Sequence, residues 1–155
     1  MNDIKLIWVY YWIASEVNSA PEKGKDVDDI IGYDGVNKLD IEIHTIEIDG
    51  HKVLVVSGEI DVHTSPQFNR AVKNTVNSDV YHLIIDMHNV RYMDSSGLYI
   101  LFSAAKRLYH KGGTVNIVSC MPYLTHILAI THLNEIINLH RNIDDTIRAL
   151  SAPVS

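Results

Sequence analysis

The sequence predicts an α/β domain in which a mixed β-sheet of about four to five strands packs with about four helices. From residue 41 onward, short apolar runs typical of strands alternate with segments of helical spacing. The pair Asp49-Gly50 is a strong tight-turn signal between the first two strands. Because the later strands alternate with helices, the centre of the sheet is expected to be parallel.

The first two strands lie on either side of this turn signal. The isoleucines of the first strand alternate with polar residues, but two lie at odd positions, Ile41 and Ile43, and two at even positions, Ile46 and Ile48. In a regular strand the two pairs would therefore face opposite sides of the sheet. A bulge near His44-Thr45 would bring both pairs to one face. The apolar run Val53 to Val56, which ends at Gly58, predicts a second strand buried on both faces. Further strands are predicted at three apolar runs: Leu83 to Ile85, Thr114 to Cys120 and Ile136 to Leu139.

Four helices are predicted from caps and apolar spacing. Ser65-Pro66 begins the first, with serine as N-cap and proline at the first helical position. The second begins near Asp94 and ends at Gly112-Gly113. Pro122 begins the third, and Asn142 to Asp145 resembles a capping box before the fourth. The side chains expected to face the core are Phe68, Val72, Val76, Leu98, Leu101, Ala105, Leu108, Leu124, Leu128, Ile143, Ile147 and Leu150.

The chain divides into two regions by pattern. Residues 1–38 hold an aromatic-rich run, Leu6 to Ala14, and a polar stretch, Ser15 to Lys38. They are predicted to form an N-terminal extension of uncertain order. Residues 39–151 are predicted to form the α/β domain, and a length of 155 residues fits one domain plus an extension.

Composition excludes several classes of partner. The net charge is −6 and the largest basic cluster is the pair Lys106-Arg107, so no nucleic acid is expected. No apolar run approaches the length of a membrane span, so no membrane is expected either. The single cysteine, Cys120, cannot form an intramolecular disulfide and suits a reducing cytoplasm.

No metal, cofactor or catalytic pattern is found. The nine histidines are spread along the chain and no pair has the i, i+4 spacing of a helical zinc site. A small serine hydrolase is one alternative, because Ser95 or Ser96 is predicted at a strand-to-helix turn. The flanking residues lack the Gly-x-Ser-x-Gly pattern of such enzymes, and no Walker-type phosphate loop is present. We therefore expect a protein that is not an enzyme.

One turn concentrates polar side chains where a strand meets a helix. Asp86 is expected at the carboxyl end of the third strand, and the chain then leads through residues 88–93 to Asp94-Ser95-Ser96-Gly97. Ligand and partner sites favour this edge of such sheets. The free N–H groups and the dipole of a helix N-terminus accommodate a phosphate on a serine. From spacing alone, a simple helix cap explains the same residues.

Two motifs carry a resemblance to a known family. Asp94-Ser95-Ser96-Gly97-Leu98, preceded by Met93, resembles the phosphorylation site of the anti-sigma factor antagonists, which belong to the STAS domain family. Gly58-Glu59-Ile60-Asp61, followed by Thr64, resembles the Gly-Glu-Leu-Asp segment of that family and its threonine. The resemblance extends from about Ile41 to Leu150 and implies the STAS fold.

The resemblance also implies a function. Ser95 would be the phosphoacceptor, with Ser96 as second choice. An anti-sigma factor that is also a serine kinase, with a histidine-kinase-like ATPase fold, would phosphorylate it, and a PP2C-type phosphatase would reverse this step. The unphosphorylated chain would bind the anti-sigma factor and free a sigma factor. The residues expected at the partner surface are Glu59, Asp61, Thr64, Asp94, Ser95, Ser96, Gly97 and Tyr99.

Tyr99 departs from the family pattern, in which glycine is common at this position. Together with the extension, it leaves a second function open. The chain could be a STAS subunit of a different partner-switching pathway or of a transporter complex.

Overall fold

The computed structural model describes residues 41–153. The strands and helices alternate in the predicted order: β1 Glu42–Ile48, β2 His51–Ile60, α1 Ser65–Asn77, β3 His82–Met93, α2 Ser95–Tyr109, β4 Thr114–Val118, α3 Pro122–Ile130, β5 Ile137–His140 and α4 Ile143–Ser151. A 3-10 helix, Leu133–Glu135, precedes β5. The predicted extension 1–38 and the start of the domain at residue 39 lie outside the described residues.

The five strands form one mixed sheet in the order β1-β2-β3-β4-β5. Only the first pair is antiparallel, and β2 through β5 are parallel neighbours. The prediction of a mostly parallel sheet that follows an initial hairpin is therefore confirmed. Because parallel strands end at one edge, the turns after β2, β3 and β4 lie along the same side of the molecule.

The hairpin turn is as predicted, but the bulge near His44-Thr45 is wrong. Asp49 and Gly50 both have positive φ, +50° and +79°, and the register between β1 and β2 is unbroken. The change of parity has another cause, because β1 contributes to both faces of the sheet. Ile43 packs on the larger core, Ile48 packs on the smaller core on the opposite face, and Ile46 is 41% exposed.

Two cores enclose the sheet. The larger core lies under α1 and α2 and includes Phe68 and Phe102, and the smaller one lies under α4 around Ile147. The second strand supplies both, since Val53 is buried in the smaller core and Leu54 in the larger. Its predicted burial on both faces is confirmed.

The third strand is longer than predicted. It continues past Asp86 to Met93, so the placement of Asp86 at its carboxyl end is wrong. Two register shifts against β2 interrupt it, and the buried side chains recur at every third residue: Met87, Val90 and Met93. A bulged strand loses its period of two, and for this reason the sequence shows no strand pattern after Asp86. The Asp86 carboxylate accepts a hydrogen bond from the backbone N–H of His88 (2.9 Å) beside the first shift.

Some element ends differ by a residue or two. Thr64, and not Ser65, is the N-cap of α1, so Pro66 occupies the second helical position. The fourth strand ends at Val118 and not at Cys120, because Ser119 takes a positive φ of +56°. The predicted cap of α4 is confirmed, since the Asn142 side chain accepts a hydrogen bond from the Asp145 N–H (2.8 Å).

The end of α2 depends on two glycines with different constraints. Gly112 takes a positive φ of +76°, and a Cβ there would have open space around it. Gly113 donates its N–H to the Leu108 carbonyl oxygen (2.8 Å), and a Cβ there would lie 1.8 Å from the Tyr81 carbonyl oxygen. The return of the chain from α2 to β4 therefore requires glycine at 113 for space and favours it at 112 for conformation.

A polar row crosses the α4 side of the sheet. Asn116 on β4 is fully buried, and its amide donates to Thr114 Oγ1 (2.9 Å). Its carbonyl oxygen is within hydrogen-bonding distance of His140 Nε2 (3.0 Å), and His82 Nδ1 lies 2.8 Å from Thr114 Oγ1. Burial lowers the pKa of His82, and nearby His51 lowers it further. Burial also lowers the pKa of His140.

We expect Gly113→Ala to lower the free energy of unfolding by about 3 kcal/mol, because its Cβ would collide with a backbone carbonyl. Gly112→Ala is the matched control, and strain at positive φ should cost it only about 1 kcal/mol. Urea unfolding of both variants measures the difference. Equal losses would show that the contact with Tyr81 does not constrain position 113.

We also expect His82 to make the fold less stable in acid. Its pKa is lower in the folded chain than the ordinary 6.5, so its contribution is complete above pH 6.5 and is lost as the pH falls below that value. His82→Asn keeps a polar partner for Thr114 but cannot be protonated. Urea unfolding at pH 7.5 and 5.5 should therefore show a smaller acid loss for the variant than for the wild type, and equal losses would contradict this assignment.

Candidate functional site

The site lies where β2 and β3 end and α2 begins. Ile60 and Met93 are register partners at the ends of these strands, and the Asp94 N–H donates to the Ile60 carbonyl oxygen (3.0 Å). The residues that follow the two strands, Asp61 and Asp94, are thereby brought to the same edge. The two sequence motifs, which are separated by more than thirty residues along the chain, form one surface.

Asp94 is the N-cap of α2. Its carboxylate accepts hydrogen bonds from the backbone N–H (2.9 Å) and from the hydroxyl of Ser96. Such a cap satisfies a free donor of the first turn, and its negative charge is favourable at the positive end of the helix dipole.

The two serines of the turn differ in their hydrogen bonding. Ser96 is the second helical residue, and its hydroxyl is held by Asp94. Ser95 is the first helical residue and is half-buried, and its hydroxyl makes no hydrogen bond with another residue of the 41–153 range. A change at the Ser95 hydroxyl, unlike one at the Ser96 hydroxyl, would therefore leave the cap intact.

Gly97 is buried and acts through its size. A Cβ there would lie 2.5 Å from Met93 Cγ and 2.9 Å from Ile60 Cγ2. The first turn of α2 thus rests directly on the ends of β2 and β3. Gly97 positions Ser95 at the surface and does not itself present a side chain to a partner.

The loop after β2 is closed by hydrogen bonds within it. The Thr64 hydroxyl donates to the Glu59 carbonyl oxygen (2.7 Å) and accepts from the Asp61 N–H (2.9 Å). The Asp61 carboxylate accepts from the N–H groups of His63 (2.8 Å) and Thr64 (3.0 Å). Thr64 therefore shapes the loop internally, and Glu59 and Asp61 remain half-buried beside the cap.

Tyr92 belongs to the same surface and was missed by the sequence interpretation. Partial burial raises the pKa of its hydroxyl, and the Asp94 carboxylate raises it further. Smaller increases come from three other neighbours: Tyr123, Asp61 and Glu59. Tyr92 lies in the part of β3 beyond the strand end predicted at Asp86, and only the register Glu59↔Tyr92 places it beside the acidic groups. No local signal in the sequence identifies it.

Exposed apolar side chains surround these acidic groups. Five come from the β2–α1 loop, the end of β3, the first turns of α2 and the start of α3: Val62, Tyr92, Tyr99, Met121 and Tyr123, each 39–52% exposed. Aromatic residues and methionine are enriched in protein–protein interfaces. Exposed apolar side chains of this kind, on the elements next to these carboxylates, have the chemistry of a protein-binding surface.

Neither a metal-binding cluster nor a membrane-spanning helix is found among the described residues. Between Ile41 and Pro153, no group of three or more histidine, cysteine or acidic side chains is placed to hold a metal ion. Within the same range, no helix is long and apolar enough to cross a bilayer.

We expect Thr64→Val to lower the free energy of unfolding by about 1–2 kcal/mol, because it leaves the Asp61 N–H without its hydroxyl partner. Thr64→Ser keeps the hydroxyl and should stay within about 0.5 kcal/mol of the wild type. Urea unfolding measures both variants. A valine variant as stable as the serine variant would mean that these hydrogen bonds do not hold the loop.

Comparison with known proteins identifies the family. The STAS domain model matches residues 42–146. The anti-sigma F factor antagonist of Paenibacillus polymyxa is 30% identical over 101 residues, which are 63% of this chain and 86% of that protein. The anti-sigma-B factor antagonist of Listeria monocytogenes is 32% identical over 101 residues, covering 65% and 88% of the two chains.

A solved structure agrees with these matches. The crystal structure of an anti-sigma factor antagonist from Mycobacterium paratuberculosis superimposes with a TM-score of 0.68 at 28% identity, over 75% of this chain and 98% of that one. The STAS fold inferred from the motifs is confirmed. All three relatives are anti-sigma factor antagonists. The chain therefore belongs to the STAS domain family and, within it, to the anti-sigma factor antagonists.

Proposed function

We propose that this chain binds an anti-sigma factor when unphosphorylated, thereby releasing a sigma factor, and that phosphorylation of Ser95 abolishes this binding. The anti-sigma factor is also the serine kinase, with a histidine-kinase-like ATPase fold, and a PP2C-type phosphatase restores the binding form. This function places the chain in the cytoplasm. The family assignment supports the antagonist role, and the geometry of the turn supports the choice of serine.

The contrast between the two serine hydroxyls carries the proposal. Ser96 donates its hydroxyl to the Asp94 carboxylate, whereas Ser95 has no hydrogen-bond partner among residues 41–153. Phosphorylating Ser96 would place a dianion against the Asp94 carboxylate and would break the cap. Phosphorylating Ser95 leaves the cap hydrogen bond from the Ser96 N–H in place.

The position of Ser95 explains why a phosphate is tolerated and why it acts as a switch. At the first helical position, the phosphate is stabilised by the helix dipole and the free N–H groups of the first turn. It also adds roughly −1.5 to −2 charges at neutral pH. Beside Glu59, Asp61 and Asp94, this charge changes the electrostatics of the whole partner surface and disrupts a closely packed interface.

We expect a kinase reaction to modify Ser95 alone. Incubation of the chain with its cognate anti-sigma factor kinase and ATP, followed by mass spectrometry, should show one phosphate on the wild type and on Ser96→Ala, and none on Ser95→Ala. Ser103→Ala, an exposed serine on the same helix, is the matched control and should be phosphorylated like the wild type. Phosphate that persists when both Ser95 and Ser96 are alanine would overturn the proposal.

The same preparations test the switch itself. Titration calorimetry should detect binding of the unphosphorylated chain to the anti-sigma factor and at least about tenfold weaker binding of the phosphorylated chain, since charge pairs at such interfaces are worth a few kcal/mol. Equal affinities would show that phosphorylation at this site does not control the complex.

Tyr99 favours a second partner pathway as the alternative. Its ring is 40% exposed one helical turn after Ser95, so it faces whatever protein docks at the site. A kinase that accommodates glycine here would have to make room for the ring, and this restricts the chain to a cognate partner. A pull-down that recovers a partner-switching kinase unconnected with any sigma factor would favour a STAS subunit of a different pathway.

A further inference from the structure

The outer side of β1 is an open edge of the sheet among the described residues. β1 is the first strand in the sheet order and pairs with β2 on one side, and no strand of residues 41–153 pairs with its other side. Such an edge presents a row of backbone N–H and C=O groups that can pair with a further strand. The proposed partner site, at the ends of β2 and β3, does not use this edge.

β1 lacks the usual features that protect an edge strand from pairing. Proteins commonly block a sheet edge with a short strand, a proline, a lysine or a bulge. β1 has seven residues, Glu42–Ile48, with no proline and no lysine, and its register against β2 is unbroken. The opposite edge strand, β5, has only four residues, Ile137–His140. Of the two edge strands, β1 is therefore the one suited to pairing with another strand.

An exposed apolar side chain lies in the middle of this edge strand. Ile46 is 41% exposed, and its register partner on β2 is Val53, which is buried in the smaller core. Because side chains alternate along a strand, Ile46 is on the same face as Ile48, which packs on that core. Ile46 thus continues an apolar row to the edge of the sheet, where a strand added to β1 would cover it.

The residue pattern of β1 is complementary to itself. A two-fold axis perpendicular to the sheet pairs the strand antiparallel with a second copy, and residues that face each other then lie on the same face. With the axis at Ile46, this side chain meets Ile46 of the copy, and Thr45 lies opposite Glu47 of the copy. No two like charges are directly opposite in this register, and cross-strand apolar pairs stabilise a sheet.

The neighbouring symmetric registers are less favourable. With the axis at Thr45, Ile46 would lie opposite His44, and with the axis at His44 it would lie opposite Glu42. With the axis at Glu47, two carboxylates would be directly opposite, which destabilises a strand pair. The register centred on Ile46 is therefore the one in which the exposed isoleucine gains an apolar partner.

We propose that the outer edge of β1 binds the same edge of a second copy of this chain, with Ile46 facing Ile46 across the two-fold axis, so that the two sheets become continuous. Because the two β1 strands are antiparallel, the carboxyl ends of β2 and β3 in the two copies point in opposite directions. The dimer therefore presents two Ser95 sites at opposite ends and binds two anti-sigma factors at once. This consequence rests on the function proposed above, whereas the strand pairing does not.

Analytical ultracentrifugation of the full chain over a concentration series tests the pairing. Interfaces below about 1,200 Å² are typical of weak complexes, so we expect a concentration-dependent equilibrium between monomer and dimer. Ile46→Lys should raise the dimer dissociation constant by at least about tenfold, because two ammonium groups would face each other across the axis. Ile130→Lys is the matched control, at a 61% exposed isoleucine on α3, and should leave the constant unchanged. A monomeric wild type, or equal effects of the two variants, would overturn the proposal.

A disulfide tests the register. Cys120 is the only cysteine of the chain, so Cys120→Ser provides a background without native thiols. In that background Ile46→Cys should form an intermolecular disulfide under mild oxidation, since residues directly opposite in an antiparallel pair are about 4.5–5.5 Å apart between Cα atoms, which suits this bond. Ile130→Cys is the matched control and should remain largely monomeric. Equal yields of linked dimer at the two positions would contradict the register.

A charge at Ser95 distinguishes edge pairing from association through the partner site. Ser95 follows β3, and β2 separates β3 from β1. Ser95→Asp should therefore leave the dimer dissociation constant within about threefold of the wild-type value, since charges this far from an exposed edge are screened. A change of tenfold or more would assign the association to the Ser95 surface and overturn the edge pairing. No kinase is present, so the result is independent of the proposed phosphorylation.

Discussion

The close contact between the first turn of α2 and the ends of β2 and β3 is the constraint on which the site depends. Gly97 allows it, because any side chain there would meet Met93 and Ile60 at less than 3 Å. The hydrogen bond from the Asp94 N–H to the Ile60 carbonyl oxygen ties the same junction together. With the helix held in this way, Ser95 is presented at the edge of the sheet on a rigid element rather than on a free loop.

The polar residues of the site have different structural roles. Asp94 caps α2 and holds Ser96, and Thr64 closes the neighbouring loop around the Asp61 carboxylate. These side chains satisfy one another and define the surface without a partner. Ser95 and the exposed tyrosines have no such internal role within the described range, so they are the groups available for modification and contact. Under the proposed function, a phosphate added to Ser95 would meet a preformed acidic surface, so that a single charge change would affect the whole interface.

The parts of the fold that could be predicted from the sequence are those that a few adjacent residues determine. The Asp49-Gly50 turn needs two residues of positive φ, and the cap of α4 needs only Asn142 and the N–H group three residues later. Both follow from a few adjacent residues. The length of β3 does not, because its bulges place apolar side chains at every third position of its second half, whereas a regular strand has a period of two. The parity change in β1 was likewise misread as a bulge, because the sequence does not show that a strand serves two cores.

By itself the sequence determined that a polar turn, Asp94 to Gly97, begins an amphipathic helix, and its motifs were sufficient to identify the family. Caps and turns depend on adjacent residues, and helical periodicity repeats within a few residues, so these features can be predicted from the sequence. Tertiary structure alone decided that Tyr92 lies among the carboxylates and that Gly97 packs against Ile60 at the end of β2. Both depend on the register of β2 against β3 and on how closely α2 approaches them. These contacts join residues about thirty positions apart, and no local pattern encodes them.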